Sequence, residues 1–208
     1  MSRKIILITS AAILALGLAW YLWPKEGSVK NVPLRGTGPI LFFGDSLVEG
    51  VGATSGHDLP TLLSQSLREP VLNYGVAGDT TRQGLARMSG AIAEQPRLVL
   101  ILLGGNDFLQ KVPRDETFAN LENIVKRFQL DGAAVVVIGV RSGIIGGGAD
   151  DRYEALAKKT ESLYVEDILQ GVFANQSLMS DAIHPNDRGY EEIATRILEV
   201  IKPIINAD

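Results

Sequence analysis

The 208-residue chain contains no cysteine. That excludes disulfides, thiolate metal sites and a lipid-carrying N-terminal cysteine, and leaves the redox compartment open. Histidine is almost as scarce: His57 and His184 are the only two, so the search for an imidazole base is short. There is no basic excess. Twenty Lys and Arg face 24 Asp and Glu, a formal net charge of −4, which argues against a nucleic-acid partner. No internal repeat, low-complexity tract or clustered ligand set for a metal or cofactor is visible. What remains is an ordinary globular composition, 46% hydrophobic and 21% charged. A chain of this length can bury a sizeable core as one domain with an appendage.

Charge is also missing near the start. Arg3 and Lys4 are the only charged side chains before Lys25, and Ile5–Trp23 is a run of 19 uncharged residues. As a helix it would be about 28 Å long at ~1.5 Å per residue, close to a hydrocarbon core of ~30 Å. Trp20, Tyr21 and Trp23 stand at its far end, where interfacial aromatics belong. Residues 1–24 therefore read as a signal-anchor. The rival is a signal peptide cut before Trp20, with Gly17 and Ala19 as the small residues. The first reading anchors the chain in the inner membrane by residues 5–23, facing the periplasm; the second leaves it periplasmic or secreted. Residues 25–38, rich in glycine and without periodicity, read as a tether.

From Pro39 onward short apolar runs alternate with helical spacing. Ile40–Phe43, Val71–Tyr74, Leu98–Leu103, Ala133–Val140 and the short Ser162–Val165 are expected strands. Their continuous aliphatic character suits a parallel sheet covered on both faces. Leu85, Met88 and Ile92 after Thr80 recur at helical spacing, as do Phe118, Leu121, Val125 and Phe128 after Thr117. Ile193, Ile197, Val200 and Ile204 mark a last helix, with Asn186 as its expected N-cap. Alternating strands and helices imply an α/β three-layer αβα sandwich on a flavodoxin-like parallel sheet, occupying residues 39–208.

In such sheets ligands bind beyond the carboxyl ends of the strands. Gly44-Asp45-Ser46-Leu47 follows the first strand, Gly75-Val76-Ala77-Gly78-Asp79 the second, and Gly104-Gly105-Asn106-Asp107 the third. Asp181-Ala182-Ile183-His184 precedes the last helix and could reach the same rim. Ser46 thus has a candidate base in His184, and His184 a candidate orienting carboxylate in Asp181. Pro185 biases His184 away from helical geometry. Asp45 and Asp107 read as loop hydrogen-bonding residues and His57 as a solvent-facing one. Gly143-Ile144-Ile145-Gly146-Gly147-Gly148 lacks the lysine and Ser/Thr of a phosphate loop. Ile144 and Ile145 are instead expected to form a rim for an acyl or alcohol group.

Four blocks in this order, Gly44-Asp45-Ser46-Leu47, Gly78, Gly104-Gly105-Asn106-Asp107 and Asp181-Ala182-Ile183-His184-Pro185-Asn186, resemble the SGNH, or GDSL, hydrolase superfamily. Gly78 to Arg87 is similar to the second block of its bacterial arylesterase, thioesterase and lysophospholipase subgroup. The resemblance runs from about Pro39 to Pro203. It implies a Ser46–His184–Asp181 triad and an oxyanion hole made by the Ser46 N–H, the Gly78 N–H and the Asn106 amide, with no metal and no cofactor. It further implies a small ester, lysolipid or thioester as substrate. Two alternatives stand beside it: an O-acetyl esterase acting on envelope polysaccharide or peptidoglycan, and a catalytically silent binding module on the same fold.

Overall fold

A computed structural model describes residues 29–140, 151–173 and 175–206. Five parallel strands form one sheet: β1 (Ile40–Gly44), β2 (Val71–Gly75), β3 (Leu98–Leu102), β4 (Ala134–Ile138) and β5 (Leu163–Val165). Their order is β2-β1-β3-β4-β5, the doubly wound, flavodoxin-like order expected. Among the described residues seven α-helices connect and cover them: α1 (Ser46–Glu49), α2 (Leu59–Leu67), α3 (Thr81–Ala93), α4 (Gly105–Leu109), α5 (Arg114–Leu130), α6 (Asp151–Lys159) and α7 (Asp187–Ile205).

The sheet divides the core in two, because strand side chains alternate between faces. Ile40 and Phe42 of β1 point to the face covered by α2 and α7, against Leu59, Leu63, Ile193 and Ile197. Leu41 and Phe43 point to the other, covered by α3, α5 and α6, against Met88, Val125, Phe128 and Leu156. All five residues of each of β1, β3 and β4 are buried, which is why those strands read as unbroken apolar runs. The register then fixes the site. Gly44 stands opposite Gly75 on one side and Leu102 on the other. Three strands end level, so the turns that follow them open on one edge.

Several boundaries differ from expectation for local reasons. The helix expected after Thr117 begins at Arg114, with Pro113 at its N-cap and Asp115 and Glu116 in its first turn. Thr117 lies inside it, its hydroxyl donating to Asp107 Oδ1 at 3.2 Å. Pro203 lies in the last turn of α7. Helix α2 lies outside the helices that the apolar spacing marks; Asp58 caps it, accepting from Thr61 N at 3.0 Å, and proline stands in its first turn. Residues 29–38 of the expected tether pack on the domain. The Asn31 amide donates to Gln129 O at 2.9 Å and Ala133 O at 2.8 Å, and Leu34 joins the core. The N-terminal apolar run and the loop carrying Ile144 and Ile145 lie outside the described residues. Among the described residues no helix is long and apolar enough to cross a membrane.

Candidate active site

Ser46 is the first residue of α1 and is positioned by the residue before it. The Asp45 carboxylate caps the helix, accepting from Leu47 N at 3.1 Å, so the serine sits on a fixed strand-to-helix turn. Its Oγ lies 3.1 Å from His184 Nε2. On the other side of the ring, His184 Nδ1 lies 2.8 Å from Asp181 Oδ2. Asp181 Oδ1 closes the loop on itself by accepting from the N–H groups of Ile183 and His184, both at 2.8 Å. The His184 carbonyl accepts from Ser180 N at 2.9 Å. Those bonds stabilise the anion: first the imidazole, then the two backbone donors, hold the Asp181 carboxyl down at about 2. Directly after this turn, Asn186 caps α7 by accepting from Gly189 N at 3.2 Å.

The three expected oxyanion donors arrive from three strands. The N–H groups of Ser46 and Gly78 have no backbone acceptor among the described residues. Gly78 has φ +85°, a backbone conformation that side chains disfavour, and nothing lies within 4 Å of where its Cβ would stand. The glycine is thus required by the turn itself, and the space where a side chain would stand is open. Asn106, in the first turn of α4, donates its amide to Asp79 O at 3.0 Å and to Asp45 Oδ2 at 3.5 Å, which places that amide beside the residue after Gly78 and the residue before Ser46. Asp107 behaves as a buried hydrogen-bonding anchor, accepting from Thr81 N at 2.8 Å and from the Thr81 hydroxyl at 2.5 Å. His57 is partly exposed, with Nδ1 3.2 Å from Thr54 Oγ1.

Asp45 differs from Asp181 although both are carboxyls at the site. Burial pushes it up to about 7, against the opposing pull of the Leu47 N–H and the His184 ring. Between about pH 4 and 7 the native state then keeps a proton that the unfolded chain has lost. Its contribution to stability is greatest below the ordinary carboxyl pKa and declines as pH rises to about 7. Asp45→Asn keeps the Oδ1 acceptor for α1 and cannot ionise. Melting temperatures measured from pH 4 to 9 should show wild type falling relative to Asp45→Asn up to about pH 7 and running parallel above it. A constant difference throughout would contradict a buried, protonated Asp45.

Sequence reasoning missed Gly52. It has φ +93°, and a Cβ there would lie 2.3 Å from Ser180 Oγ, 2.5 Å from Pro185 O and 3.2 Å from His184 Cβ. The 51–58 loop therefore buttresses the histidine turn. It is clipped to the start of α7, where Asp187 accepts from Thr54 N and Thr54 Oγ1, both at 2.7 Å, and the Tyr190 hydroxyl donates to Val51 O at 2.7 Å. The sequence signal was faint: glycines at 50, 52 and 56, spaced as in any loop.

A doubly wound parallel sheet carrying Ser, His and Asp in hydrogen-bonded sequence at its C-terminal edge defines the class of α/β hydrolytic enzymes with a serine nucleophile. Residues 42–192 match the model of the GDSL-like lipase/acylhydrolase family. The chain belongs to that family and has the SGNH hydrolase fold; it is a carboxylic ester hydrolase. It is 30% identical over 178 residues to the esterase TesA of Pseudomonas aeruginosa, covering 80% of this chain and 89% of the relative. Likewise it is 29% identical over 178 residues to the thioesterase 1/protease 1/lysophospholipase L1 of Escherichia coli K12, covering 81% of this chain and 86% of that one. A crystal structure of TesA superposes with a TM-score of 0.73 at 28% identity, covering 80% of this chain and 99% of the other.

Proposed function

We propose that the chain hydrolyses esters and thioesters of apolar acyl or aryl groups through an acyl-enzyme on Ser46. The observation that carries this is the row Ser46 Oγ, His184 Nε2, His184 Nδ1, Asp181 Oδ2, with gaps of 3.1 Å and 2.8 Å. Ser46 Oγ attacks the acyl carbon as its proton passes to His184 Nε2. The carbonyl electrons move onto oxygen, where the N–H groups of Ser46 and Gly78 and the Asn106 amide receive the charge. Collapse of this adduct expels the alkoxide or thiolate, which takes the proton from His184. Water then repeats the sequence on the acyl-serine and frees the acid.

The surroundings support an apolar substrate group over a sugar. Val76, Phe108, Leu109 and Ile183 are large hydrophobic residues left 40–49% exposed. Each lies within three residues of Gly78, Asn106 or His184. The names of the relatives, an esterase and a thioesterase/lysophospholipase, agree with this reading. The apolar run Ile5–Trp23 supports placing the activity outside the cytoplasm, tethered to the inner membrane or released from it, where lysolipids are at hand.

A fluorophosphonate traps a serine nucleophile by forming the covalent phosphonyl-serine. One equivalent should be incorporated per chain, on the peptide containing Ser46, with loss of hydrolysis in proportion. A parallel panel of acyl p-nitrophenyl esters should favour chains longer than acetyl. Failure to label, or labelling on another peptide, would overturn the mechanism.

A further inference from the structure

We propose that Arg87 is the positioning residue of the oxyanion site, holding all three of its donors in aim without touching the substrate. The inference rests on the reading of Ser46, Gly78 and Asn106 given above.

Arg87 lies in the middle of α3 and reaches back to the rim. Its Nε donates to Asp79 Oδ2 at 2.5 Å and its Nη2 to the carbonyl of Gly44 at 2.8 Å. The guanidinium carbon sits 4.3 Å from the centre of the Phe43 ring, which supports the planar group from beneath. Gly44 ends β1, two residues before Ser46. Asp79 follows Gly78 directly, and its own carbonyl accepts the Asn106 amide at 3.0 Å. One rigid fork therefore joins the end of β1 to the turn after β2, and through that turn to α4. Each oxyanion donor is either within two residues of a group that Arg87 holds or bonded to one.

Two features separate this from an ordinary ion pair. Helix α3 has its own start signal: Thr80 and Gln83 form a reciprocal capping box, so Arg87 is not needed to begin the helix. The Gly78 turn, moreover, has open space on its outer side, and its aim depends on what holds its neighbours. On one side Glu49 accepts from Ala77 N; on the other stands the Arg87–Asp79 pair. The Asp79 side chain is only 8% exposed, so removing the cation would leave a nearly buried carboxylate to seek water and pull the turn outward. Misplacing a catalytic group by about 1 Å is enough to cost on the order of 10²-fold in rate.

The test uses the full chain, with active sites counted by fluorophosphonate titration and turnover measured on a p-nitrophenyl acyl ester. Arg87→Met keeps the apolar stem on Phe43 and should lower kcat per titrated site by about 10²-fold. KM should change little, because the loss falls on the transition state. A trifluoromethyl ketone, whose serine adduct carries the same oxyanion, should weaken by the factor lost in kcat/KM. Arg87→Lys, which keeps charge but not the planar two-way fork, should fall between. Combined with Asn106→Ala, the loss should be smaller than the product of the single losses, since both act on one array. Millimolar guanidinium should restore part of the activity of Arg87→Gly. If Arg87→Met does not fold, Asp79→Asn carries the same readouts. Unchanged kcat per titrated site, with only a lowered melting temperature, would reduce Arg87 to a structural ion pair and overturn the proposal. A wild type that the phosphonate cannot titrate would instead sink the underlying reading of Ser46.

Discussion

Ser46→Ala is expected to lower kcat on an activated aryl ester by about 10⁵–10⁶-fold, the scale on which removing the nucleophile disables a serine triad. Ser46 supplies the oxygen 3.1 Å from the base, and a methyl cannot form the acyl intermediate. The substitution should leave the fold alone. Asp45 still caps α1 through Leu47 N, alanine is a good residue for the start of a helix, and the Ser46 N–H is kept. Circular dichroism and melting should therefore match wild type. His184→Ala should cost a similar factor. The double variant should be no worse than either single one, because nucleophile and base act as a unit. Retention of even a tenth of wild-type turnover by Ser46→Ala would mean that another group attacks the ester.

The strands were legible because a sheet covered on both faces demands unbroken apolar runs, and Ile40–Phe43 and Leu98–Leu103 are such runs. The site was legible for a related reason. Strands that end in register place their following turns on one edge, so Ser46, Gly78 and Asn106 could be brought together from strand order alone. His184 and Asp181 were legible from their spacing and from the scarcity of histidine, although a turn before the last helix has no strand end to fix its position. What stayed illegible was tertiary. Gly52 shows its purpose only against Ser180, Pro185 and His184, more than 125 positions away. Arg87 could be seen as part of a helix, but its carboxylate at Asp79 and its carbonyl at Gly44 lie on different elements. The start of α5 at Arg114 was equally hidden, because Pro113 rather than a Ser, Thr, Asp or Asn stands at its N-cap.

Asp181→Asn should lower kcat by about 10³–10⁴-fold, and the reason is the proton on the ring rather than the lost charge. Asparagine can keep its oxygen where Oδ1 now accepts from Ile183 N and His184 N, so the turn should survive. Its NH2 would then face His184 Nδ1 at the position of Oδ2. An N–H aimed at Nδ1 forces the ring proton onto Nε2, the nitrogen that must receive the proton of Ser46. The resulting imidazole is correctly placed and in the wrong tautomer. The lost charge contributes less here than at a buried triad, because the Asp181 side chain is 53% exposed and water screens it. Asp181→Ala separates the two effects. At so exposed a position a water can accept the Nδ1 proton, leaving Nε2 free to act as base. Alanine should accordingly retain more activity than asparagine, by about tenfold, even though it removes more of the side chain. Equal losses in the two variants would assign Asp181 a mainly electrostatic role. A near-normal Asp181→Asn enzyme would remove it from the triad.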